Sequence, residues 1–147
     1  MKTALPVRPV NIVLLVCGLL TAACGNSSDS STTAPTSTGP STEIFAGTLA
    51  VQGSGFYSFT VATTGQVSIT LASLTTTKPG PALNNVMGLG VGQPLGTDCS
   101  VTNSVAAAPA LAAQLVNSLT PAIYCTRIYD LGNLTAPVNF TIRIVHN

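Results

Sequence analysis

Apolar and polar residues alternate with a period of two through most of the chain beyond residue 43. Tyr57, Phe59 and Val61 interleave with Phe56, Ser58, Thr60 and Ala62, and Val67, Ile69 and Leu71 with Gln66, Ser68, Thr70 and Ala72. Near the C-terminus Phe140, Ile142 and Ile144 interleave with Asn139, Thr141 and Arg143. Successive side chains of a strand point to opposite faces, so this alternation, rich in Thr, Val, Ile and aromatic residues, predicts strands with one buried face. Seven or eight are expected, at Ile44–Val51, Phe56–Ala62, Gln66–Leu74, Val86–Val91, Cys99–Asn103, Gln114–Leu119, Ala122–Tyr129 and Val138–His146.

Turn residues fall between these segments. Gly53-Ser54-Gly55 separates the first two, Thr64-Gly65 predicts a tight hairpin between the next two, and Lys78-Pro79-Gly80-Pro81 forces a longer connection. Gly132-Asn133 ends the seventh. Short strands at even spacing predict an all-β domain, an antiparallel, jelly-roll-like β-sandwich. Phe59, Ile69, Leu71, Phe140 and Ile142 are expected between its sheets. The Ala-rich stretch Val105–Val116 favours helix by propensity. Pro109 interrupts it and no polar face develops, so it reads as a loop leading into a strand.

The pattern upstream differs. Lys2 and Arg8 lie in a positive segment, Ile12–Leu20 is an apolar run, and small residues follow, as in a secretory signal. The run is too short for a membrane-spanning helix, which needs about 20 apolar residues. Leu20-Thr21-Ala22-Ala23-Cys24-Gly25 resembles the bacterial lipobox, with Thr21 where Leu is preferred. The resemblance implies cleavage before Cys24, which becomes diacylated and N-acylated, and a chain held in the cell envelope by its lipid. Gly25 rather than Asp after the cysteine implies the outer membrane if the host is Gram-negative. Ordinary secretion, with cleavage near Ala23, is the rival reading. From Gly25 to Thr42 the residues are mostly Ser and Thr, with no aliphatic side chain larger than Ala. Nothing there repays the entropy of folding, so a flexible tether is expected. The organisation is thus a signal peptide at 1–23, a lipidated Cys24 with a linker to residue 42, and a domain at 43–147.

Charge narrows the functions. Only 6% of the 147 residues are charged. Apart from Lys2 and Arg8 in the signal, three cations (Lys78, Arg127, Arg143) face four carboxylates (Asp29, Glu43, Asp98, Asp130). No basic footprint for nucleic acid exists. Nucleophilic catalysis needs a base beside the nucleophile, and the single imidazole, His146, reads as a frayed terminal residue. No nucleophile elbow, P-loop, zinc-protease motif or dinucleotide fingerprint is present. Gly88, Gly90 and Gly92 on one strand face suggest close packing or a shallow surface there. Asp98 and Asp130 are placed at loop rims. A calcium site would need six or more oxygens, and Asp130 with Asn133 reads better as a turn whose side chains bond their own backbone. Arg127 reads as a solvated or aromatic-stacked surface residue.

Of four cysteines, Cys17 leaves with the signal and Cys24 takes the lipid, so Cys99 and Cys125 are expected to form a disulfide in an oxidising compartment. Zinc would require four ligands, and none beyond these and His146 are available; no metal or cofactor is expected.

Phe45-Ala46-Gly47-Thr48-Leu49, Phe56-Tyr57-Ser58-Phe59-Thr60-Val61 and Gly65-Gln66-Val67-Ser68-Ile69-Thr70-Leu71, with Tyr124–Ile128 later, resemble the bacterial pre-peptidase C-terminal (PPC) domain. The resemblance spans most of 43–147 and implies a β-sandwich. Such domains accompany secreted peptidases, and no peptidase is attached here, so that role does not transfer. The expected function is non-catalytic: a membrane-tethered module that binds an envelope protein or supports an envelope assembly. Carbohydrate binding is the alternative, through exposed aromatics drawn from Tyr57, Tyr124, Tyr129 and four Phe. A hydrolase using an Asp or His146 ranks behind both.

Overall fold

The structure, a computed structural model, describes residues 39–147. The expected signal peptide, the lipidated Cys24 and the linker as far as residue 38 lie outside the described residues. Eight strands follow in order: β1 (Ser41–Leu49), β2 (Ser54–Val61), β3 (Gly65–Thr76), β4 (Met87–Leu95), β5 (Asp98–Ala107), β6 (Leu115–Leu119), β7 (Ala122–Asp130) and β8 (Val138–His146). They form two antiparallel four-stranded sheets, ordered β1-β8-β3-β6 and β2-β7-β4-β5. Every successive pair except β4–β5 changes sheet, and this connectivity makes the sandwich a jelly roll.

Period-two burial follows from that architecture. Each strand sends alternate side chains between the sheets, where Phe59, Val61, Val67, Ile69, Leu71, Leu89, Ile128, Phe140, Ile142 and Ile144 are buried. The five residues expected in the core are all among them. Burying a side chain of this size stabilises the fold by roughly 1.5–3 kcal/mol. Phe45 joins the margin of the core, edge-on to Phe140 and stacked with Tyr57.

Several details differ from the sequence reading. Ser41 and Thr42, assigned to the linker, begin β1, because His146 and Val145 of β8 offer them backbone partners. Thr64-Gly65 does not close a hairpin: β2 and β3 belong to opposite sheets, and the turn between them crosses the sandwich. Two strands that bury apolar faces toward each other from opposite layers show the same alternation as a hairpin. The alternation along β3 also breaks at Ala72, where the register with β8 shifts. The extra residue resets the phase, so Leu71 and Leu74 both point inward. Val105–Ala107 of the Ala-rich stretch extend β5 rather than forming a loop, because Leu89, Gly88 and Met87 of β4 pair with them. Residues 108–114 then descend the edge of β3, where the Ala110 and Gln114 amides donate to the Leu71 and Ile69 carbonyls.

The register also fixes the two ends of the sandwich. Ser41 lies opposite His146, so the chain coming from the linker enters at the end where β8 finishes. The connections at that end, residues 62–64, 96–97 and 120–121, are short. The opposite end carries the β1–β2 connection and the long ones, residues 77–86 and 131–137, and the 108–114 connection, as long as 131–137, starts there. Nine residues of β1 separate the ends by roughly 30 Å.

Candidate functional site

A shallow cavity of about 510 Å³ opens on the outer face of the β2-β7-β4-β5 sheet, toward the end that carries the long connections. Its lining comes from the β1–β2 connection with Ser54, from β5 and from the end of β7, and the buried glycines of β4 lie beneath the groups that line it. In register, Gly88, Gly90 and Gly92 lie beside Tyr129, Arg127 and Cys125 of β7, all on the outward face. With no Cβ on three alternate positions, the middle of the sheet is bare, and neighbouring groups lean over it. A Cβ on Gly88 would fall 2.2–2.5 Å from Cζ, Cε1 and Cε2 of Tyr129. Three ring atoms at nearly one distance place the ring face-down across Gly88, its other face outward. A Cβ on Gly90 would meet Val101 at 2.7 Å, and one on Gly92 would meet the Ser100 carbonyl oxygen at 1.8 Å. The glycine row is thus a close-packing device, as its spacing suggested.

Gly92 also explains the bridge. The β4–β5 register shifts between Val91 and Gly92, and a bulge bends the strand that carries it. The bend lets Ser100 cross over Gly92 and brings Cys99 over β7. Cys99 and Cys125 stand there at disulfide distance, their Cα atoms 5.9 Å apart, and their sulfurs are bonded. Asp98, beside Cys99, reaches Arg127 with its Oδ1 3.3 Å from Nη1, and Arg127 Nη2 donates to Ser54 Oγ at 3.1 Å. The guanidinium is 6.0 Å from the Tyr129 ring centre. Arg127, read from the sequence as solvated or aromatic-stacked, does lie over the Tyr129 ring, and it is also paired with Asp98 and bonded to Ser54, forked between two strands.

The rim is set by Asp130. Its Oδ1 accepts the backbone N–H groups of Gly132, Asn133 and Leu134, and its Oδ2 accepts that of Gln52 at 2.9 Å. This is the self-bonding turn expected of Asp130, extended to a second loop, whereas the Asn133 side chain departs from that expectation and donates through Nδ2 to the Val86 carbonyl. The Gln52 amide, followed by the three turn amides, holds the Asp130 carboxyl below the ordinary aspartate range. Gln52 has φ of 56° and is the only non-glycine residue with positive φ among the described residues. That conformation is costly for a side chain with a Cβ. The Asp130 acceptor holds it there, with Gln52 lining the cavity.

His146 is not frayed. It is 5% exposed, its Nε2 lies 2.7 Å from Glu43 Oε1, and its ring packs 5.4 Å from that of Phe59. The Tyr57 hydroxyl donates to the other Glu43 oxygen at 2.7 Å. The Glu43 carboxylate, through that hydrogen bond and then its charge, raises the Tyr57 phenol above its ordinary value. The pairing of the first and last strands brings these groups together at the end opposite the cavity. The second ring nitrogen of His146 is 3.5 Å from the Asn147 carbonyl oxygen, so its partners are a carboxylate and a main-chain oxygen rather than a nucleophile. The network ties β1, β2 and β8 together. Among the described residues no three His, Cys, Asp or Glu side chains converge to hold a metal.

Tyr129, Gln52, Ser54 and Ser104 were not singled out from the sequence as partners of one site. The row of glycines, Asp98 and Asp130 read as loop-rim residues, Arg127 read as a surface residue and Tyr129 among the exposed aromatics were the signals that fell on this face. No protein-family model matches the chain, and no curated protein matches it.

Proposed function

We propose that this protein is a non-catalytic binding module, held in the bacterial cell envelope by lipid on Cys24 and displaying its ligand-binding end away from the membrane. The observation that supports the reading is the strand register, which puts the start of β1, where a tether would enter, at the end of the sandwich away from the shallow cavity. A lipidated chain entering at Ser41 would hold the long connections and the cavity outward, where an envelope protein or glycan is met. Two or three acyl chains bind a bilayer far more firmly than one, so the tether would be durable. The PPC-like strand motifs agree with an exported accessory domain. The His146–Glu43–Tyr57 network supports the same picture, because it fastens β1, the strand that would take any pull from the tether.

Metabolic labelling with palmitate tests the anchor. The wild-type chain is expected to label and to partition into detergent, and Cys24→Ser to do neither. A soluble, unlabelled wild-type protein would overturn the anchored reading.

A further inference from the structure

We infer that the cavity beside Tyr129 binds a neutral, pyranose-containing glycan. This rests on the binding-module reading and gives it a ligand class. The first support is the aromatic ring. Tyr129 lies across Gly88 with one face against the sheet and the Arg127 guanidinium 6.0 Å over its ring centre, so the part of the outward face beside the guanidinium is a fixed platform of the kind a sugar's C–H face packs on. Its orientation is set by backbone rather than by a mobile neighbour, so little freedom is lost on binding.

The second support is the adjacent polar set. Arg127 presents donors and Asp98 presents acceptors within one ion pair, with the Ser54 hydroxyl bonded to the same guanidinium. A sugar hydroxyl donates and accepts at once, so adjacent hydroxyls match such a pair, through hydrogen bonds strengthened by charge. Ser104 and Gln52 add further polar groups to the lining. The third support is charge. Arg127 is already paired with Asp98, and Asp130 lines the cavity with a carboxylate, so an anionic ligand would meet that carboxylate and a committed cation. A neutral, hydroxyl-rich ligand meets no such opposition.

Shape separates a glycan from a protein partner. The cavity's volume of about 510 Å³ is within the range of small-ligand clefts. Its apolar lining is confined to Val101 and the Tyr129 ring. A protein hot spot would need a larger apolar centre to exclude water.

The test is titration calorimetry on the mature full-length chain in a detergent without a sugar headgroup. The probes are cellohexaose, maltohexaose, xylohexaose and chitohexaose, with sedimentation on purified peptidoglycan sacculi in parallel. At least one glycan is expected to bind saturably. Tyr129→Ala should weaken it about tenfold or more, the loss of one stacked ring, whereas Tyr129→Phe should hold it within about threefold. Ser104→Arg, on the exposed edge strand, fills the cavity without touching the core and should also abolish binding; Ile123→Ala, exposed on the same sheet outside the cavity, should not. Binding that survives both Tyr129→Ala and Ser104→Arg would overturn the site. Absence of binding to every probe would overturn the glycan, and capture of a protein at this end in the same cells would then leave the binding-module reading standing.

Discussion

Reduction of the Cys99–Cys125 bond is the perturbation with the largest calculable effect on this domain. The two residues are 26 positions apart, and the bond joins β5 to β7 across the end of their shared neighbour β4. Removing the closure of a loop of about 27 residues returns roughly 3.5 kcal/mol of chain entropy to the unfolded state. A folded unit of about 110 residues unfolds with an entropy of roughly 230 cal/mol/K, so that loss corresponds to a fall in Tm of about 15 °C. The folded state itself should change little. Asp98–Arg127 and the β4–β5 ladder still hold the bent hairpin against β7. The assay is a thermal melt of the mature chain in detergent, with and without a phosphine reductant, and a urea titration beside it. The reduced unfolded chain is less compact and exposes more surface, so its m-value should rise along with the drop in Tm. A Tm change below about 3 °C, or free thiols in the native protein without reductant, would refute the reasoning.

Two further perturbations have clear signs. Gly92→Ala puts a Cβ against the Ser100 carbonyl, and backbone cannot swing away as a side chain does; a destabilisation of about 1–3 kcal/mol is expected by urea unfolding, and wild-type stability would contradict the close crossing. Asp130 has a depressed folded pKa, so its contribution is fully present above the unfolded value near 4 and is lost as pH falls through the folded value. Melts from pH 7 to pH 2.5 should therefore show Asp130→Ala several degrees below wild type at neutral pH, with the gap closing in acid; a gap that stays constant or widens would contradict the turn's chemistry.

The strands were legible because burial on one face leaves a period-two imprint on each segment by itself. Phe59, Ile69 and Ile142 could be placed inside from their neighbours alone. Partnership between remote segments leaves no such imprint. Nothing around Thr64-Gly65 distinguishes a hairpin from a crossing between layers, since both bury the same faces. The bulge at Ala72 is invisible until β8 supplies the register against which the extra residue counts. His146 looked terminal because its partners, Glu43 and Tyr57, are about 100 and 90 positions away and meet it only when the first and last strands pair. The cavity was the least legible feature. The three glycines were plain in the sequence, but Tyr129, Ser104 and Gln52 come from three other segments, and only the strand pairing and the Asp130–Gln52 bond gather them around one cavity. Gln52 in particular owes its place to a left-handed backbone held by Asp130, which no local pattern announces for a glutamine.

Site-specific photocrosslinking in living cells compares the two ends of the sandwich directly. A photoreactive residue at Leu131, exposed in the connection after β7, reports on the end beside the cavity, and one at Thr64, in the turn after β2, reports on the end where the tether enters. Adducts to an envelope protein or glycan are expected at Leu131 and not at Thr64. Adducts at Thr64 alone, or equal labelling at both ends, would contradict a module that presents its binding end away from the membrane.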